Sequence, residues 1–96
     1  SIAIDHDLLD ASGILPYEKV DVWNVTNGAR LTTYALKAER GSRQIMLNGA
    51  AARHAHAGDK VIITAFADMD EGEAQGHAPT VVIMNDDNSI KEVIED

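Results

Sequence analysis

The sequence contains no cysteine, which excludes a disulfide framework and a thiolate metal site. This composition is compatible with a reducing compartment. The sequence also lacks an apolar run long enough for a transmembrane helix, and no basic-then-apolar leader stands at its start. We therefore expect a protein that is neither inserted into a membrane nor exported, and that works in the cytoplasm.

Basic residues are scarce, and the shortage is confined to the last third of the chain. The 96 residues include 8 lysines and arginines against 16 aspartates and glutamates, a formal net charge of −8. Residues 1–67 are neutral, whereas residues 68–96 carry nine acids and one base, Lys91. Because an acidic surface repels phosphate backbones, nucleic-acid binding is not expected. We interpret the acidic stretch as a solvated face; an acidic docking tail is the alternative.

Short strand patterns separated by turn residues dominate the chain. Asp5 is a plausible N-cap for a short helix that ends before Gly13. Asn27-Gly28 is the strongest hairpin signal, between strands predicted at 19–25 and 30–38. Further strands are predicted at 1–4, 44–47, 60–67 and 80–84. A chain of this length forms a single domain, here residues 1–96, and the expected class is all-β, a small barrel or sandwich.

The strand predicted at 30–38 holds the first candidate site. Alternation places Arg30 and Tyr34 on one face and Thr33 on the other. The planar fork of an arginine suits a carboxylate, and a tyrosine can donate a proton once its pKa is adjusted. From spacing alone, the favoured interpretation is a surface arginine and a half-buried tyrosine on an ordinary strand.

Asn48-Gly49 and the small residues after it form the second candidate. Small residues let a ligand approach the backbone, and a helical turn at 50–54 would leave N–H groups free for an anion. The favoured alternative from the residues alone is an ordinary type I′ turn before a short helix. His54 and His56 lack a third ligand, so no metal site is expected. Trp23 is interpreted as a core or interface anchor.

Taken together, several segments resemble one known family in their order and spacing. They are the opening Ser-Ile-Ala-Ile-Asp, Asp-Val-Trp-Asn-Val-Thr-Asn-Gly at 21–28, 30–34, Ala-Glu-Arg-Gly-Ser at 38–42, Asn-Gly-Ala-Ala-Ala at 48–52, and Gly-Asp at 58–59. This pattern resembles the pyruvoyl-dependent aspartate 1-decarboxylases over nearly the whole chain. The resemblance implies a double-psi β-barrel with short helices, assembled as a homotetramer. It also implies a self-cleaved precursor whose small N-terminal (beta) fragment is not included here.

The same resemblance implies a reaction and a set of site residues. Ser1 would become the pyruvoyl group, which forms a Schiff base with L-aspartate and releases CO2 and β-alanine for pantothenate biosynthesis. No metal is implied. The implied roles are Ser1 as cofactor precursor, Tyr34 as proton donor, Arg30, Asn48, Gly49, Ala50 and Ala51 in substrate binding, Thr33 in processing, and Trp23 as a pocket wall. Since Thr33 and Tyr34 alternate, both reach one site only if the strand bulges or Thr33 serves a site across a subunit interface.

Two other functions remain open at this stage. The first is a non-catalytic β-barrel that binds a partner through its acidic face. The second is a Ser-terminal enzyme that uses the free amine and hydroxyl of Ser1 as base and nucleophile. The mass of the chain distinguishes the decarboxylase from these two alternatives, because conversion of Ser1 to a pyruvoyl group removes one ammonia.

Overall fold

The computed structural model describes residues 1–95, which form seven strands and three short helices. The strands are β1 (Ile2–Asp5), β2 (Lys19–Asn24), β3 (Arg30–Ala38), β4 (Ile45–Leu47), β5 (Val61–Thr64), β6 (Val81–Met84) and β7 (Ile90–Ile94). The helices are α1 (His6–Ser12), a 3₁₀ helix (Gly49–His54) and α2 (Glu71–Gln75). The expected all-β class with short helices is confirmed.

Five strands form one curled sheet, in the order β4-β1-β3-β2-β5. β1 lies in the interior, parallel to β3 with Ile2 opposite Ala35, and antiparallel to β4 with Ile2 opposite Leu47. β2 pairs antiparallel with β3 on one side and with β5 on the other. This half-barrel, together with the separate β6–β7 hairpin, is consistent with the double-psi β-barrel. Within residues 1–95, no helix has the length and apolar character needed to cross a membrane.

The core lies against β1, and every residue of that strand is buried. An interior strand covered on both faces is apolar without alternation, which explains the run Ile2-Ala3-Ile4. Its main partners come from α1, β2 and β3: the buried cluster is completed by Leu8, Leu9, Val20, Val22 and Ala35. Because β1 begins immediately after Ser1, this core also fixes the position of Ser1.

Asp5 ends β1 and starts α1, as predicted. One carboxylate oxygen accepts the N–H groups of Asp7 and Gly41 at 2.9 and 3.1 Å, and the other accepts that of Arg43 at 2.8 Å. Burial alone would raise the pKa of this carboxyl, but the three backbone donors together with the charge of Arg40 hold the pKa below its usual value. Gly13 ends the helix in the left-handed conformation, with φ of 77°.

The turns largely agree with the sequence, with one exception. The Asn27-Gly28 hairpin between β2 and β3 is confirmed, with residues 25–29 as its loop. The alternative reading of Asn48-Gly49 as a type I′ turn is wrong, since that turn needs positive φ at both central residues. Gly49 has φ of 62°, but Asn48 is extended with φ of −117° and leads into the 3₁₀ helix.

The β6–β7 hairpin is held to the rest of the chain mainly at its turn and through Met84. Arg43 pairs with Asp87 at 3.1 Å, and its carbonyl accepts the amide of Asn88 at 3.0 Å. Met84 packs against the core. The hairpin nevertheless leaves large apolar side chains exposed by 38–42%: Val81, Ile83, Ile90, Val93 and Ile94. Such a concentration of exposed apolar side chains is typical of a surface covered by another chain.

Candidate functional site

Ser1 is held by the backbone of Asn48. The N–H of Asn48 donates to the carbonyl oxygen of Ser1 at 2.8 Å, and the Ser1 amine donates to the carbonyl of Asn48 at 3.3 Å. These contacts extend the β1–β4 ladder by one residue pair. Ser1 is therefore held in place by backbone hydrogen bonds that continue the sheet.

A pocket of about 500 Å³ opens beside Ser1. Its size is within the range of small-molecule sites. Ser1 contributes one part of the wall and the first half of β3 another. The remaining wall comes from the 3₁₀ helix and the residue before it, so the full lining is Ser1, Leu31, Thr32, Thr33, Tyr34, Asn48, Gly49, Ala50, Ala51 and His54.

Seven of the nine residues expected at the site border this pocket. They are Ser1, Thr33, Tyr34, Asn48, Gly49, Ala50 and Ala51. The pocket thus brings an amine, a phenol, a hydroxyl and a carboxamide to one place. The roles expected of these residues stay predictions, because geometry alone does not assign them.

Thr33 and Tyr34 both reach the pocket without a bulge in β3. Their register with β2 is unbroken, Thr33 opposite Val20 and Tyr34 opposite Lys19. On the other side of β3, pairing with β1 begins only at Ala35. The pocket therefore meets the free edge of β3, and an edge is bordered by side chains from both faces. Neither a bulge nor a role across a subunit interface is needed to place both residues there.

Arg30 and Trp23 lie outside the pocket wall. They are directly opposite each other on β3 and β2, and the guanidinium carbon of Arg30 lies 5.0 Å from the centre of the Trp23 ring. Phe66 packs at an angle on the same ring, with centroids 6.5 Å apart. At about 3.3 Å per residue, Arg30 begins about 13 Å along the strand from Tyr34. Arg30 therefore contacts Trp23 and does not line the pocket beside Ser1.

Three pocket residues were not predicted as such, Leu31, Thr32 and His54. Thr32 donates to Asp21 at 2.7 Å across the β2–β3 pair. His54 was considered only as a metal ligand, yet it ends the helix that starts at Gly49, and this proximity to Asn48 was the available signal. Within residues 1–95, no group of three or more His, Asp or Glu side chains is arranged to hold a metal.

The curled β-sheet and the pocket beside Ser1 describe a small β-barrel-like protein with a cavity of small-molecule size. Residues 1–91 match the aspartate decarboxylase family. Three similar proteins, each named aspartate 1-decarboxylase, come from Hyphomonas neptunium (65% identical), Phenylobacterium zucineum (60%) and Caulobacter vibrioides (59%). Each aligns over 91 residues, which is 95% of this chain and 77% of the relative. The chain belongs to the aspartate decarboxylase family, as its sequence motifs suggested.

Proposed function

We propose that this chain decarboxylates L-aspartate to β-alanine and CO2 for pantothenate biosynthesis, with a pyruvoyl group derived from Ser1. The observation that carries the proposal is the pocket in which Ser1, Tyr34 and Asn48 meet. Family membership over residues 1–91 supports the same reaction. The cytoplasmic location expected from the sequence is part of this proposal.

The residues around Ser1 fit a pyruvoyl group. The group would supply a ketone that withdraws electrons as the carboxylate leaves. The carbonyl oxygen of Ser1 is retained on conversion, and the Asn48 N–H already donates to it at 2.8 Å. This donor stabilises negative charge that develops on that oxygen. Conversion removes the Ser1 amine and with it the hydrogen bond to the Asn48 carbonyl, which at 3.3 Å is the longer of the two. Gly49 adds no side chain, and a Cβ built on it would meet nothing within 4 Å.

Tyr34 and Thr33 are given separate tasks in this proposal. Tyr34 is exposed at the pocket and its hydroxyl is the proton donor that completes β-alanine. Thr33 assists the earlier conversion, in which the Ser1 hydroxyl attacks the preceding carbonyl of the precursor. The resulting ester then eliminates the carboxylate of the small N-terminal fragment and leaves dehydroalanine at residue 1, and water replaces the nitrogen of that residue, which leaves as ammonia.

Arg30 is assigned to the side-chain carboxylate of aspartate. Binding the carboxylate that departs would stabilise the substrate more than the transition state. Because Arg30 rests on Trp23 and not in the pocket of its own chain, we place it in the pocket of a second copy within a homotetramer. The exposed apolar side chains of the β6–β7 hairpin support burial against other chains, including the small N-terminal fragment.

Intact mass and product analysis test the proposed reaction. The full precursor is expressed, and the large fragment is expected to be lighter than its sequence by one ammonia. Incubation with L-aspartate should then release β-alanine and CO2 in equal amounts. A Ser1 of full mass, or release of no β-alanine by a converted chain, would contradict the proposal. A Ser1→Ala precursor is the control for the mass change.

Co-expression tests where Arg30 acts. Ser1→Ala chains lack the cofactor and Arg30→Ala chains lack the carboxylate ligand, so each assembly alone is expected to be inactive. In mixed tetramers, some sites combine an intact Ser1 with an intact Arg30 of another copy. Recovery of activity is expected, and its absence in proven mixed tetramers would place Arg30 in its own chain's site.

A further inference from the structure

The 3₁₀ helix that forms one pocket wall has little packing of its own. Of its six residues, only Ala51 is buried. Its first end has no side-chain cap, because Asn48 makes no capping hydrogen bond. A 3₁₀ helix also has poorer hydrogen-bond geometry than an α-helix. Besides the burial of Ala51, contacts at the two ends of the helix contribute to the position of this wall.

The far end of the helix is bound by the β2–β3 hairpin. The carbonyl of His54 accepts the Asn24 amide at 3.2 Å and the Asn27 amide at 3.0 Å. The Asn24 amide also donates to Asp59 at 2.9 Å, and the same carboxylate oxygen accepts the N–H of His56 at 2.9 Å. We call this group, Asn24, Asn27, Asp59 and the His54 carbonyl, the hairpin clamp.

Asn24 is the centre of the hairpin clamp. It is 3% exposed, and its amide oxygen accepts the N–H groups of Thr26 and Asn27 at 3.0 and 3.2 Å. The amide of Asn24 is also the main reason that the pKa of Asp59 lies below its usual value, and the N–H of His56 acts in the same direction. Buried polar groups with all partners satisfied confer rigidity.

The hairpin clamp joins the two sides of the pocket. The same hairpin leads into β3, which carries Thr33 and Tyr34, and through Asn24 it holds the helix that carries Gly49 to Ala51. Asn24 itself does not line the pocket. We propose that Asn24 is a positioning residue, which acts through His54 and the 3₁₀ helix to hold the Asn48–Ala51 wall at its working distance from Tyr34. The inference rests on the proposed decarboxylase function.

Asn24→Asp separates this role from simple support of the hairpin. The variant keeps the oxygen that accepts Thr26 and Asn27, but it replaces the donating amide with an oxygen. That oxygen faces the His54 carbonyl and the Asp59 carboxylate, which both repel it. Asn85→Asp is a matched control, because the Asn85 amide donates within the β6–β7 turn, to Ser89 at 3.0 Å.

The test uses the self-processed enzyme made from the full precursor. Turnover is expressed per pyruvoyl group in folded protein, a measure that support of folding alone would not change. Displacing a catalytic wall by about 1 Å can cost on the order of 100-fold. We expect kcat to fall by about 10- to 100-fold in Asn24→Asp, with a smaller change in KM. Amide exchange of residues 49–54 should increase in the same variant.

A double variant separates the contact with His54 from the contact with Asp59. In Asn24→Asp with Asp59→Asn, the repulsion between the two carboxylates is removed, but the His54 carbonyl still receives no donor from residue 24. Because Asn24 is proposed to act through His54, we expect kcat of the double variant to stay near that of Asn24→Asp. Recovery to the kcat of the unaltered enzyme, or a kcat per site in Asn24→Asp equal to that of Asn85→Asp, would overturn the proposal. If the unaltered enzyme and Asn85→Asp release no β-alanine, it is the decarboxylase function that fails.

Discussion

Asp5→Asn is the substitution whose effect on stability follows most directly from the structure. Asp5 is 2% exposed and accepts three backbone N–H groups, from Asp7, Gly41 and Arg43. Asparagine has one acceptor oxygen in place of two. In either orientation of its side chain, at least one of these N–H groups faces an amide donor and loses its partner.

The expected cost follows from that lost contact. A hydrogen bond to a charged group contributes about 1.5–3 kcal/mol, and the remaining bonds weaken when the charge is removed. We expect Asp5→Asn to lower the free energy of unfolding by about 2–3 kcal/mol at pH 7. For a small protein this shifts the urea midpoint by on the order of 1 M.

Urea unfolding followed by circular dichroism, at one fixed protein concentration, measures this cost. The fixed concentration matters because assembly contributes to apparent stability. Asp10→Asn is the control: its carboxylate is 60% exposed and pairs with Arg40 at the surface, where ion pairs contribute little. If Asp5→Asn moves the midpoint no further than Asp10→Asn does, the reasoning about Asp5 is refuted.

The effect of Asp5→Asn on the free energy of unfolding should depend on pH. The pKa of Asp5 lies below its ordinary value of 3.8, so the native state favours the charged carboxylate. Its contribution is therefore fully present above that ordinary value and is lost as pH falls through the native pKa. The stability difference between Asp5→Asn and the parent should persist at neutral pH and shrink in acid. A difference that grows in acid would contradict the direction of the shift.

Two further predictions concern the pocket. Gly49→Ala and Gly13→Ala both place a side chain at positive φ, 62° and 77°, in open space, so each should lower the free energy of unfolding by about 1–2 kcal/mol. Only Gly49→Ala should also lower turnover, and equal turnover in the two variants would count against a role for the 3₁₀ helix. Tyr34→Phe should lower kcat by about 10²- to 10⁴-fold while the ammonia loss at Ser1 proceeds unchanged; normal turnover in this variant would exclude Tyr34 as the proton donor.

Much of the local structure was predictable because single residues determine it. Asp5 caps α1 and Gly13 ends it, as short polar and glycine residues do at helix ends. Asn27-Gly28 marked the β2–β3 hairpin correctly. The alternation on β3 also matched the observed exposure of Arg30, Thr32 and Tyr34. Each of these features depends on neighbours a few positions away.

The remaining features depend on residues distant in sequence. No local pattern indicates that β1 lies parallel to β3, or that Asp5 reaches Gly41 and Arg43. Strand alternation suggested that Thr33 and Tyr34, on opposite faces of β3, could not both border one site. In the structure, pairing of β3 with β1 begins only at Ala35, so β3 has a free edge beside these two residues. Likewise, alternation places Arg30 on the same face as Tyr34, but it does not indicate that the Arg30 side chain packs against Trp23.

The interior position of β1 in the sheet has a consequence for the timing of the proposed conversion of Ser1. Ser1 becomes seated only when β1 has found its two neighbours, which the chain must bring back from Ala35 and Leu47. Pairings between residues so far apart in sequence form slowly during folding. Under the proposed conversion of Ser1, the chemistry that requires Ser1 to be held against Asn48 waits until these pairings have formed. Loss of ammonia would then report that the pairings are in place, and a chain trapped before they form would keep an unconverted serine.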